Sequence, residues 1–474
     1  MSEDKSYYFC GIGGSGMLPL AMIVRATGAQ VSGSDRALDQ GRLADKFGWL
    51  EDKGIGLFPQ DGSGLTSGDQ ILVASAAIED SVPDVAKANA LGCARMTRAE
   101  LLAEYFNRTV RNIAIGGTSG KSTVTGMIGW ILTEAALDPT IMNGAVMKNF
   151  VAADAPFASS RVGESNIIVS EVDESDGSIA LFDAEIALLN NVSLDHKSLE
   201  ELRQLFGDFL SKAKCAIWNA DDPESRALVD QLSLAKATSF GFSEQADIRA
   251  MDIELQPLSS QFTIVAGEDQ FPVEMKIPGR HNIANGLAAI AAARAVGVPI
   301  MTSVAALANF TGLARRFDIV GSANGISVID DFGHNPDKIA ATLQTLKAFS
   351  GRIIAFFQPH GYGPIRKMGA ELADVFADIL DSDDRVILCD PVYFGGTVDR
   401  SIGSQNIIEA ITARGGIAEH LPEREVCGAR IVNIARPGDR IIIMGARDDT
   451  LHSFAQDLLR EIEQRDFVET ERPA

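Results

Sequence analysis

The sequence predicts an α/β protein of three successive domains built on helix-covered parallel sheets, and three observations carry that prediction. Apolar runs of strand length repeatedly end in glycine-rich or polar turns and are followed by helical runs. Two of those turns, at residues 11–16 and 116–122, have the glycine pattern of nucleotide-binding loops. At 474 residues the chain exceeds a single typical core, so about two to four domains are expected, and three fit the spacing of the motifs.

The first domain is expected over residues 1–108. Strand Tyr7-Tyr8-Phe9-Cys10 enters the turn Gly11-Ile-Gly13-Gly14-Ser15-Gly16, a helical run extends from Met17 to Thr27, and a second strand ends at Gly33-Ser34-Asp35. Strand, glycine turn, helix, strand and acid make a Rossmann-like nucleotide-binding unit, with the acid about twenty residues past the glycines. A tight turn in an ordinary α/β unit has the same appearance. A strand from Gln70 to Ala77 leaves Ser75 at a carboxyl end, where open α/β sheets bind ligands. The polar run Tyr105–Arg111 reads as a linker.

The second domain, over 109–312, is predicted to be P-loop-type. Asn112-Ile-Ala-Ile115-Gly-Gly117-Thr118-Ser119-Gly120-Lys121-Ser122-Thr123 is a strand, a glycine turn and a helix start in succession. Glycines let backbone amides converge on phosphate oxygens, the helix offers its positive end, Lys121 supplies a point charge and Ser122 a hydroxyl for Mg²⁺. That chemistry is a nucleoside triphosphate. Ile115 departs from the usual pattern, which has glycine there. The strand Asn166–Ser170 discharges into Glu171-Val-Asp173-Glu174-Ser-Asp176, and Ile186–Val192 into Ser193-Leu-Asp195-His196, both directed at one sheet edge. A carboxylate there would hold Mg²⁺; a solvated loop and a structural histidine are the plainer alternatives. Asn282, ahead of a small-residue helix over 286–296, reads equally as a helix cap.

The third domain, over 313–474, begins Ala314-Arg315-Arg316-Phe317 and is again Rossmann-like. Its strands 325–329, 352–357, 385–389 and 440–444 end in Asp330-Asp331-Phe332-Gly-His334-Asn335-Pro336, Gln358-Pro-His360, Asp390-Pro391 and Gly445-Ala446. A net charge of −22 with a pI near 4.7 repels a polyphosphate backbone, so no nucleic-acid partner is expected. Cys10, Cys93, Cys215, Cys389 and Cys427 form no C-x-x-C pair, and no run reaches the ~18 apolar residues of a membrane span. The expectation is a cytoplasmic protein without membrane attachment, monomeric or homodimeric.

Together these segments resemble the Mur ligase family over nearly the whole chain, in the branch that acts on UDP-N-acetylmuramate with free L-alanine or a peptide beginning with L-alanine as acceptor. Gly11–Met17 is similar to the UDP-sugar turn of that branch, Thr97–Glu104 to its interdomain helix, and Gly117–Ser122 to its ATP loop, in which Ile115 is ordinary. The resemblance implies a UDP-sugar site of Gly13, Gly14, Ser15, Gly16, Met17, Ser34, Asp35 and Ser75. It implies an ATP site of Gly117, Thr118, Ser119, Gly120, Lys121, Ser122 and Thr123, with Asn282 and Asn285 at adenine, Asp331 at ribose and Arg316 at the phosphates. Metal would fall to Ser122, Glu171 and His196, the amine acceptor to Phe332, His334 and His360, and catalysis to Lys121, His196 and His334. The implied reaction uses ATP and Mg²⁺ to turn the muramoyl carboxylate into an acyl phosphate that an amine then attacks, with domain closure excluding water.

Departures gather at the implied acceptor site. The alanine-using relatives carry tyrosine where this chain has Phe332, and arginines where it has Gly361 and Pro364. The expected pocket is roomier and less cationic, with Arg366 and Lys367 as the nearest replacements and arginine at 361 as the change that would restore a carboxylate clamp. A nicotinamide oxidoreductase, suggested by Gly11–Asp35 alone, has no use for a triphosphate loop. A paralogue that binds the nucleotide sugar without releasing ADP is the third possibility.

Overall fold

A computed structural model of the chain describes residues 5–76, 78–193, 197–392, 399–446, 448 and 450–465. Its contacts divide into two compact units, one running through Leu255 and resuming over Ser259–Gly312, the other comprising Leu313 onward with Gln256–Leu258.

The first unit holds two sheets. A parallel five-stranded sheet has the order Gly56–Phe58, Gln30–Ser34, Ser6–Cys10, Gln70–Ala74, Ala94–Thr97. Tyr7 and Phe9 on one face, and Tyr8 and Cys10 on the other, are all buried, as a strand covered on both sides requires. Ser6–Cys10 is central, with its next two partners reached in opposite directions, so the turn at its carboxyl end opens at a topological switch point. Helix Met17–Ala26 follows that turn and buries Leu18, Leu20, Ala21, Ile23 and Val24 against the sheet.

The expected linker at 105–111 is a correction. Helix Arg98–Arg108 is started by a capping box between Thr97 and Glu100 and runs almost directly into strand Arg111–Gly116. Its polar residues mislead because Phe106 is fully buried, its ring 5.3 Å from that of Phe182. Asn107 donates to the Leu181 carbonyl at 2.8 Å and accepts from the Asp183 amide at 2.9 Å.

A ten-stranded sheet completes this unit, parallel through its middle and antiparallel at both ends. Strand Arg111–Gly116 lies between Ile186–Leu189 and Ile167–Glu171, with Ile115 in register with both Leu188 and Glu171. Three chain segments therefore leave one edge side by side. Ile115 is fully buried inside the strand, which runs on through Gly116, so the turn begins only at Gly117. Helix Arg280–Ala295 starts six residues earlier than expected, because Gly279 at φ +102° turns the chain and the alanine run packs fully buried.

The second unit is a six-stranded sheet in the order Asp318–Ala323, Ile326–Asp331, Arg440–Gly445, Ile353–Gln358, Arg385–Leu388, Ala418–His420. Its first pair is antiparallel and the rest parallel, with helices on both faces. The expected strands are present, and Asp318–Ala323 and Ala418–His420 are added at the edges.

Candidate active site

The phosphate loop is held by groups distant in sequence. Gly117 and Gly120 take φ of +132° and +80°, conformations that glycine adopts without strain. A Cβ on Gly120 would come within 2.4 Å of Asn190 Nδ2 and 2.7 Å of Asn285 Oδ1, so the loop packs closely on both asparagines. The Ser119 amide donates to Asn191 Oδ1 at 2.9 Å, and the Thr118 hydroxyl lies 3.0 Å from the same oxygen. Asn190 Nδ2 donates to the Ser119 carbonyl at 3.0 Å and to Asn285 Oδ1 at 3.1 Å. Asn282, buried, donates to the Pro278 carbonyl at 2.7 Å and accepts from Asn285 at 3.4 Å. It lies inside the helix and is not its cap. An amide chain thus joins the expected adenine segment to the phosphate loop. Asn190 and Asn191 escape a reading by motif; their signal is two consecutive amides directly after an apolar strand.

Lys121 opens helix Lys121–Glu134, whose first-turn amides, Ser122 and Thr123 among them, have no intrahelical acceptor. Its Nζ donates to the Gly117 carbonyl and to Glu174 Oε2, both at 2.6 Å. Glu174 is buried, and this ion pair assigns it to Lys121. Glu171 ends its strand and accepts from the Ser122 hydroxyl at 2.7 Å. Burial opposes ionisation of Asp173, but hydrogen bonds from Ser175 and the charges of Lys121 and Arg98 hold its carboxyl below the usual value. Asp195 and His196 lie outside the described residues. Among the described residues no group of three or more His, Cys, Asp or Glu side chains could hold a metal ion. The Ser122–Glu171 oxygen pair suits a cation completed by phosphate and water oxygens, as Mg²⁺ commonly is.

At the first sheet, Gly14 and Ser15 are exposed at the tip of the turn and Gly16 is half-exposed. The Gly13 amide donates to Asp35 Oδ2 at 2.9 Å, while Oδ1 of the same carboxylate caps the helix at Ala37. Asp35 therefore ties the turn, through one oxygen, to the start of the helix it caps with the other. Ser34 is a correction: its hydroxyl, fully buried, is committed to Asp84 and is not presented at the turn. The Met17 side chain likewise enters the core. Ser75 is exposed just beyond strand Gln70–Ala74.

In the second unit, Arg315 and Phe317 adopt positive φ of +60° and +46° on either side of Arg316. Asp331 accepts from the Phe317 amide at 2.8 Å, the Gly333 amide at 2.7 Å and the Thr342 hydroxyl at 3.2 Å, so it shapes the loop that carries Arg316. The Arg316 guanidinium lies 4.5 Å from the Phe332 ring centroid. His334 Nδ1 is 2.8 Å from the Phe332 carbonyl, and its ring meets those of Phe332 and His360 edge-on at 5.4 and 5.3 Å. Burial, reinforced by Lys338, His360 and Arg316, pulls its pKa to about 4, so at neutral pH it is an uncharged imidazole. Gly361 sits at φ +131° and ψ 163° ahead of helix Tyr362–Ile379, a backbone open essentially to glycine alone. Arg366, an expected replacement cation, instead donates to the Asp399 carbonyl at 2.7 Å.

A triphosphate-type loop and a glycine turn on separate sheets, with an acidic run beside the lysine, define a nucleotide-using α/β enzyme. Residues 6–109, 115–293 and 315–447 match the Mur ligase family, catalytic domain, the Mur ligase middle domain and the Mur ligase, glutamate ligase domain, respectively. The UDP-N-acetylmuramate–L-alanine ligase of Agrobacterium fabrum is 34% identical over 460 residues, covering 94% of each chain. The protein of that name from Jannaschia is 34% identical, covering 93% of this chain and 92% of its own. Among solved structures, the UDP-N-acetylmuramate-alanine ligase of Thermotoga maritima superposes with TM-score 0.78 at 22% identity, covering 96% of this chain and 98% of its own. A murein peptide ligase of Psychrobacter arcticus gives 0.72 at 24%, covering 98% and 100%. The chain belongs to the Mur ligase family and is an ATP-dependent, amide-forming ligase. No helix among the described residues is long and apolar enough to cross a membrane.

Proposed function

We propose that this ligase joins L-alanine to the muramoyl carboxylate of UDP-N-acetylmuramate in peptidoglycan precursor synthesis, by way of an acyl phosphate. The full-length likeness to ligases named for that reaction supports the substrates. The observation that carries the chemistry is Lys121, fixed beside the triphosphate loop by Glu174 and the Gly117 carbonyl, where its charge can meet a phosphoryl group in transfer. Ser122 and Glu171 would hold Mg²⁺, which when bound offsets phosphate charge. Arg316 and the neutral imidazole of His334 belong to the unit that would bring ATP contacts and the acceptor amine, Nε2 of His334 being suited to accept a proton from that amine.

A second reading, a peptide beginning with L-alanine as acceptor, is favoured by Phe332, Gly361 and Pro364, which remove polar groups suited to a small amino acid. The test is ADP release with UDP-N-acetylmuramate against a panel of amino acids and peptides. The highest kcat/KM with free L-alanine supports the first reading, and a higher value with the peptide transfers the assignment to the second. No ADP release with any acceptor, while the nucleotide sugar still binds, would mark a silent paralogue.

A further inference from the structure

We infer that Arg98 is a ligand of the nucleotide sugar, its guanidinium taking an anionic oxygen of the substrate between the glycine turn and the phosphate loop. The inference rests on the Mur ligase reading and extends the UDP-sugar site to a residue on a different element.

Arg98 is the first residue of helix Arg98–Arg108, and the capping box made by its neighbours Thr97 and Glu100 fixes where it starts. Gly16 leaves it room: a Cβ on Gly16 would lie 2.9 Å from Arg98 Cδ and 3.2 Å from Nε. The side chain therefore runs along the end of the turn whose exposed tip, Gly14 and Ser15, is expected to meet the diphosphate. On the other side lies Asp173, whose carboxylate responds to both Arg98 and Lys121, so the guanidinium shares a neighbourhood with the phosphate-loop lysine.

Nearby cations have protein acceptors, Lys121 at Glu174 and the Gly117 carbonyl, and Lys46 at the Gly13 carbonyl 3.4 Å away. Arg98, half-buried, makes no hydrogen bond or ion pair among the described residues. Asp173 is close enough to feel its charge but makes no hydrogen bond or ion pair with it, so the five N–H donors of the planar fork are left for an anion of the ligand. UDP-N-acetylmuramate carries two such anions, the diphosphate and the lactyl carboxylate that reacts.

The two are separated by calorimetry with UDP, UDP-N-acetylglucosamine and UDP-N-acetylmuramate on the wild-type protein, Arg98→Ala, Arg98→Gln and Arg98→Lys. Arg98→Gln retains much of the stem beside Gly16 and serves if the alanine variant fails to fold. The expected result is an affinity for UDP-N-acetylmuramate lowered at least ~10-fold in the neutral variants and partly recovered by lysine, with ATP affinity and Tm unchanged. A loss shared by all three ligands assigns the contact to the diphosphate, and a loss confined to UDP-N-acetylmuramate assigns it to the carboxylate. Unchanged affinity for all three in both neutral variants overturns the role of Arg98 and leaves the family reading standing. A wild-type protein that binds no UDP-N-acetylmuramate overturns that reading and the inference with it.

Discussion

Lys121 and Glu174 form an ion pair across the phosphate loop, Nζ to Oε2 2.6 Å, with side chains 18% and 5% exposed. So little water reaches the carboxylate that removing its cation strands a buried charge. Lys121→Ala is expected to lower kcat at least ~10²-fold, from loss of charge on the transferring phosphoryl group, and also to lower the Tm of the nucleotide-free protein. The double variant Lys121→Ala/Glu174→Gln should regain Tm and stay inactive. Calorimetry with steady-state ADP release separates the two effects; recovery of activity in the double variant would show that Lys121 acts only on Glu174.

Ser122 and Glu171 make the second prediction. Glu171→Gln preserves size and removes the anion that, with the Ser122 hydroxyl 2.7 Å away, suits Mg²⁺. Activity should fall and the Mg²⁺ midpoint should rise in a titration of ADP release. An unchanged midpoint would move the metal to another carboxylate of the run.

Much of this site was legible because its pieces lie at strand ends, where periodicity stops and glycine or acid begins. The phosphate loop and Glu171 are such cases. Asn191 was not, because it meets Ser119 across 72 residues of chain through strand packing. Tyr105 and Phe106 looked like part of a linker for a similar reason, since the ring covering Phe106 comes from Phe182 on another segment. Ser34 failed in the opposite way: its position at a strand end was correct, but the partner that turns it inward, Asp84, belongs to a helix 50 residues on.

The third prediction concerns His452, which no motif flagged. Its Nδ1 lies 3.0 Å from Asp330 and 3.7 Å from Asp318, both buried; Arg315 Nε is 3.4 Å from Asp330, and Gln456 touches Nε2 at 3.1 Å. The hydrogen bond to Asp330 raises the His452 pKa against the opposing effect of burial. Because the folded value is the higher one, the stabilisation is full below the unfolded value of about 6.5 and is lost as pH rises through the folded pKa. His452→Gln should therefore lower Tm most below the unfolded value and progressively less as pH rises through the higher folded one. A Tm deficit independent of pH would reduce His452 to a packing residue.

The last prediction corrects an expectation about the acceptor loop. Absence of arginine at 361 suggested that restoring it would rebuild a carboxylate clamp, yet Gly361 holds φ +131° and ψ 163°. That region costs a residue with a Cβ on the order of 1–3 kcal/mol, whatever lies beyond the Cβ. Open space is not the obstacle, since the nearest atom to a Cβ there would be Pro364 Cδ at 3.7 Å. Gly361→Ala and Gly361→Arg should consequently lose similar stability, and arginine should bring no gain in kcat/KM for L-alanine over the alanine variant. Thermal melts of both variants beside their L-alanine saturation curves make the comparison. An arginine variant that keeps wild-type Tm and lowers the KM for L-alanine would mean that the loop can take the conformation of its arginine-bearing relatives, and the specificity of this pocket would then depend on side chains alone.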